Sequence, residues 1–107
     1  MGWRVLLSED AGRDIEDLYR FIVRRDGAET AESILGEIEA AAMSLEEFPE
    51  RGNIPKELVS IGIGEYREVH DKLWRMIYRT IGSDVVVYRV VDGRRDTQSF
   101  LERWLFR

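Results

Sequence analysis

Residues 66–96, YREVHDKLWRMIYRTIGSDVVVYRVVDGRRD, decide the fold of this chain. Leu73–Ile81 and Val85–Asp92 are rich in Val, Ile, Tyr and Trp, and Gly82-Ser83-Asp84 between them reads as a hairpin loop. Tyr66–His70 is a shorter strand, joined to the next through Asp71-Lys72. Arginines interrupt this sheet at positions 67, 75, 79 and 89, and Arg94-Arg95 follow it. Side chains alternate between faces along a strand. Trp74, Met76, Tyr78 and Thr80 therefore share one face, and Leu73, Arg75, Ile77, Arg79 and Ile81 the other. In the following strand Val86, Tyr88 and Val90 oppose Val85, Val87, Arg89 and Val91. The aromatic and methionine faces are expected to meet the rest of the core, leaving Arg75, Arg79 and Arg89 on an open face. Such arginines either cover aliphatic neighbours and pair across strands, or meet an anionic partner.

Upstream lies the cover for that sheet. Trp3–Leu7 reads as a first strand, although periodicity does not place it within the sheet. Ser8 and Asp10 are capping residues, and Ala11, Ile15, Leu18, Tyr19, Ile22 and Val23 recur at helical spacing. Arg24-Arg25 suit the end of that helix and Asp26-Gly27 stop it. A second helix is expected from Ala28 to Phe48, with Ala31, Ile34 or Leu35, Ile38, Ala41 or Ala42, Leu45 and Phe48 as its apolar stripe. Two amphipathic helices joined this tightly must lie antiparallel. Pro49 ends the second, PERGNIP reads as loop, and Lys56–Glu65 holds a short helical turn before a Gly-rich approach to the sheet. Thr97–Phe106 spaces Phe100, Leu101, Trp104 and Leu105 as a final short helix. The order is β-α-α-β-β-β-α: an α+β fold with a helical hairpin on a mainly antiparallel four-stranded sheet, one domain over residues 1–107.

Bulk properties narrow the function. The 107 residues hold no cysteine and one histidine, His70, so disulfides and thiolate metal sites are excluded and a zinc site is not expected. No segment approaches the roughly 20 apolar residues of a membrane span, and the N-terminus lacks a signal peptide, so a cytoplasmic protein is expected. The net charge of −5 argues against a nucleic-acid binder, but it is unevenly spread. Residues 1–65 carry 7 Lys/Arg against 15 Asp/Glu, net −8, whereas residues 66–107 carry 9 against 6, net +3.

The motifs L-x-x-x-P-x-x-G (Leu45, Pro49, Gly52), Y-R-E-V (Tyr66–Val69), W-R-M-I-Y (Trp74–Tyr78) and V-V-Y-R-V-V-D-G-R-R-D (Val86–Asp96) together resemble the RelE/ParE superfamily. These are toxins of bacterial type II toxin–antitoxin, or plasmid-stabilisation, modules. The resemblance covers essentially the whole chain. It implies one of two activities: ribosome-dependent mRNA cleavage in RelE-like members, or poisoning of DNA gyrase in ParE-like members. It also implies a small antitoxin that wraps the toxin and carries operator DNA binding for the complex.

RNA cleavage by a 2′-OH needs a base, an acid and cations around the phosphorane. By the resemblance, Arg75 and Arg94 or Arg95 fill the cationic positions. The segment DTQSFLERWLFR, however, contains neither the tyrosine nor the histidine of RelE-like proteins, and His70 lies where the family uses none. The cations are present and the proton-transfer groups are missing. The expectation is therefore ParE-like: a gyrase-directed toxin acting by binding, without cofactor or metal, neutralised by a ParD-like antitoxin. Target contact is expected from Arg94, Arg95, Phe100, Arg103 and Trp104. Antitoxin contact is expected from Ile15, Tyr19, Ile22, Leu35, Arg79 and Arg89. Two alternatives remain open: a RelE-like ribonuclease using Arg75 with Arg94 or Arg95, and a non-toxic member that only binds its antitoxin.

Overall fold

Ser8 sets the first boundary. In the computed structural model, which describes residues 2–93 and 103, its Oγ accepts the Ala11 N–H at 3.0 Å and donates to the Tyr88 carbonyl at 2.7 Å. One hydroxyl thus caps a helix and ties it to the sheet. Before it runs β1 (Arg4–Leu7), and after it α1 (Glu9–Asp26), with Glu9 and Asp10 in the first turn and Arg24 and Arg25 in the last. Both pairs complement the helix dipole. Gly27, at φ 97°, turns the chain directly into α2 (Ala28–Ser44), a conformation that disfavours any side chain.

The second helix stops four residues short of the expected Phe48. The Leu45 and Glu46 amides bond back three residues, to the Ala42 and Met43 carbonyls, tightening the end of the helix. That tightening sends Leu45 into the core at 0% exposure and leaves Phe48 62% exposed. Of the paired alternatives, Ile34 and Ala41 are buried, whereas Leu35 and Ala42 are only half-buried. A short helix α3 (Lys56–Val59) follows, as expected, and then β2 (Arg67–His70), β3 (Trp74–Ile81) and β4 (Asp84–Asp92).

The strand order is β1-β4-β3-β2. β2, β3 and β4 are antiparallel neighbours, but β1 runs parallel to β4, so the sheet is mixed. The β3–β4 turn is two residues, Gly82 and Ser83, between the paired Ile81 and Asp84, with Gly82 at φ 61°.

One irregularity corrects the expected faces of β4. Ile77 pairs with Arg89 but Tyr78 with Val87, so Tyr88 is an extra residue on β4. A bulge of this kind breaks strict alternation. Val85 and Val87 join Val90 in the core with the helices, while Val86 and Tyr88 do not. That main core also holds Ala11, Ile22, Ala31, Ile34, Ile38, Leu45, Trp74, Met76 and Tyr78. A smaller cluster of Leu58, Ile77 and Val91, with Ile63 and Tyr66 against it, packs α3 on the other side of the sheet. That second face is therefore partly covered, not open.

Candidate functional site

The arginines of the sheet are not displayed together. Arg75, on β3, donates Nη1 and Nη2 to Glu57 of α3 at 2.6 and 2.9 Å, and Nε and Nη2 to Glu68 of β2 at 2.7 and 2.6 Å. The three side chains are 14%, 11% and 4% exposed, respectively. Hydrogen bonds from Arg75, more than any other cause, hold the Glu57 carboxyl below its ordinary pKa, and Glu57 in turn raises that of Arg75. Two carboxylates thus surround one guanidinium. His70 lies beside it, its Nδ1 3.5 Å from a Glu68 oxygen, with its own side chain 56% exposed. Glu68, His70 and Arg75, with Asn53 and Lys56, line a cleft of about 280 Å³.

The other arginines are also engaged. By register Arg89 pairs with Ile77, on the Arg75 side of the sheet, but its guanidinium is engaged across the β4 edge. It reaches Asp14 of α1 through Nε at 2.8 Å and Nη2 at 2.9 Å, and this hydrogen-bonded carboxylate raises its pKa. Arg67 donates to the Gly52 carbonyl at 2.8 Å. Arg79 lies over the Tyr66 ring at 5.7 Å, and Tyr66 meets Tyr88 edge to face. Glu57, Glu68 and Asp14 are the partners that sequence reasoning missed. A signal existed for one of them: strand alternation puts Glu68 and His70 on the side opposite Val69, which is the side of Arg75.

The residues expected to meet an antitoxin fall into two groups. Ile22 is a core residue at 2% exposure and offers no docking surface. Ile15 and Leu35 are half-buried and line a groove of about 410 Å³ between β1 and the helices, with Val5, Leu7, Ile38, Ala42, Met43 and Met76. Tyr19 lies in an adjoining hollow that shares Ile15 and Leu35, and its hydroxyl donates to Glu32 at 2.8 Å. Of the expected target-contact residues, Arg103 is exposed. Arg94, Arg95, Phe100 and Trp104 lie outside the described residues, as does the expected helix over 97–106.

The motif glycine has a structural task. A Cβ at Gly52 would collide with the Glu68 carbonyl oxygen and approach the Tyr78 hydroxyl to 2.7 Å. The Gly52 N–H donates to that hydroxyl at 3.1 Å, and Leu45 and Pro49, the other motif positions, are both buried.

A helical hairpin on a four-stranded mixed sheet is the architecture of RelE/ParE-type toxins. It matches a chain of the chromosomal ParDE toxin–antitoxin system from P. aeruginosa at a TM-score of 0.69, with 15% identity over 84% of this chain and 95% of that one. It also matches the RelBE2 toxin–antitoxin complex from Mycobacterium tuberculosis at 0.62, with 20% identity over 86% and 92%. Residues 5–97 match the family described as the ParE toxin of the type II toxin–antitoxin system parDE. Toxin ParE3 of Caulobacter vibrioides is 31% identical over 91 residues, 85% of this chain and 87% of that protein. The chain belongs to the ParE toxin family of type II toxin–antitoxin systems.

Proposed function

We propose that this ParE-type toxin acts by binding DNA gyrase and trapping it on cleaved DNA, and that a ParD-like antitoxin keeps it inactive. The observation that carries this reading is the state of Arg75. In the ribonuclease alternative its guanidinium would stabilise the phosphorane, a task that requires a cation free to meet substrate. Here two carboxylates satisfy it on one side of the sheet, and His70 is directed to one of those carboxylates. With its charge balanced by those carboxylates, the guanidinium offers little to RNA phosphate. Binding, with Arg94, Arg95, Phe100, Arg103 and Trp104 as target contacts, asks nothing of Arg75 beyond support of the fold.

The groove holding Ile15 and Leu35 is the proposed antitoxin dock, since apolar grooves beside helices accept amphipathic segments. Operator DNA would be reached only through the antitoxin. The whole chain, 1–107, acts as one domain and works in the cytoplasm; among the described residues no helix is long and apolar enough to cross a membrane. The test pairs purified toxin with gyrase and supercoiled plasmid. Accumulation of cleaved, gyrase-linked DNA is expected, diminished by Arg94→Ala with Arg95→Ala. Growth arrest with intact, fully supercoiled plasmid and codon-positioned mRNA cuts would replace this reading with the ribonuclease.

A further inference from the structure

We propose that Glu39 and Glu46 form a charge-selecting rim on the groove, which fits it to an antitoxin segment whose apolar strip is flanked by Lys or Arg. The inference rests on the antitoxin-docking reading above and adds the chemistry of the segment that docks. Among the groove's described lining residues these two are the only charged ones, and no described lysine or arginine of the lining balances them. Neither carboxylate has an ion-pair or hydrogen-bond partner among the described residues. The adjoining hollow differs, because its Glu32 accepts from Tyr19 and its Glu16 lies 3.7 Å from Arg20.

The position of Glu46 is a second, independent argument. The C-terminal end of a helix favours cations. Helix α1 obeys this with Arg24 and Arg25, whereas α2 has no basic residue in its last turn and is followed at once by Glu46 and Glu47. Acidic groups there oppose the dipole, and the one cation at that helix end among the described residues, Arg51, donates to Ser44 Oγ at 2.7 Å and not to either carboxylate of the rim. Local rules are broken this way where a surface serves binding instead of stability. A basic segment in the groove would answer both the rim and the acidic residues beyond the helix end.

The probe is the antitoxin encoded beside this chain's gene, titrated against the toxin at about 50 and 500 mM salt, a range over which exposed charge pairs are progressively screened. Glu39→Lys with Glu46→Lys is expected to weaken association about tenfold or more at the lower salt, with the difference shrinking at the higher. Because lysines suit that helix end, the variant's Tm should hold or rise, which separates lost binding from lost folding. Replacing the antitoxin's flanking Lys and Arg with Glu should restore affinity for the variant. Met43→Asp, at a groove residue 65% exposed, serves as the control on docking itself. If Met43→Asp weakens binding and the double lysine variant does not, the charged rim is overturned and the groove stands. Should Met43→Asp leave affinity unchanged, the antitoxin docks elsewhere and both readings fall.

Discussion

Gly52 and Arg75 are the two residues on which the region between the helices and the sheet depends. The approach of the Gly52 backbone to Glu68 and Tyr78 leaves no room for a methyl group. Gly52→Ala is therefore expected to destabilise the fold by about 1–3 kcal/mol through overpacking. Gly36, inside α2 with nothing within 4 Å of a built Cβ, should behave oppositely. Gly36→Ala is expected to stabilise by about 0.5–1 kcal/mol, since glycine is the poorer helix former. Urea unfolding of the two variants reads both signs, and a like response would remove the close-approach argument. Arg75 poses the complementary case. Losing it strands two carboxylates that are 11% and 4% exposed, and breaking such a buried group costs about 3–5 kcal/mol. Arg75→Met alone should cost that much, whereas methionine at 57, 68 and 75 together should recover most of it. If the triple variant is no more stable than the single one, the charges are not what makes Arg75 necessary.

At the scale of elements, β4 is the strand whose pairing changes along its length. β1 accompanies it only as far as Val87, leaving the remaining edge to α1. The Ser8 hydroxyl takes the Tyr88 carbonyl, and the Asp14 carboxylate takes the Val90 N–H at 2.9 Å together with Arg89. A strand edge is thus closed by a helix, not left as a template for pairing. Asp14→Ala should cost about 1.5–3 kcal/mol, the range for a hydrogen bond to a charged group. Hydrogen exchange at Val90 should accelerate markedly while the Val85 and Val87 amides, paired within the sheet, hold; uniform acceleration would mean that Asp14 supports the whole fold instead of this edge. These arrangements also show what the sequence could and could not reveal. The helices were legible because Ser8, Gly27 and the three-and-four spacing each carry a local cause, and β3 was legible from its alternation. The bulge in DVVVYRVVD was not, because valine stands on both sides of it and either register buries one. Nor were Asp14 and Glu57 legible as partners, since they lie 75 and 18 residues from the arginines they meet. Long-range ion pairs leave no periodic trace.

Across the whole molecule, the split between an acidic first part and a basic second part exists along the chain but not in space. Glu57 and Asp14 come from residues 1–65 and neutralise Arg75 and Arg89 of the sheet. The acid response of stability follows from the same pairing. Glu57 is held below its ordinary 4.5 in the folded state, so its contribution is fully present above that value and fades as pH falls through the lowered one. Glu37 works in the other direction. A hydrogen bond with Asp71 raises its pKa, so protonation of Glu37 favours the folded state as pH falls. The two effects are unequal in weight. Glu37 and Asp71 are exposed and screened by solvent, whereas the Glu57 side chain is 11% exposed. Stability should therefore decline on acidification below the ordinary carboxylate range, with Glu57 setting the sign. Denaturant midpoints measured from neutral to acid pH would show it: Glu57→Gln should start lower at neutral pH and flatten the acid limb. Glu37→Gln should start slightly higher at low salt and leave the limb in place. An acid limb unchanged by Glu57→Gln would assign it to other carboxylates and detach the Arg75 cluster from the pH response.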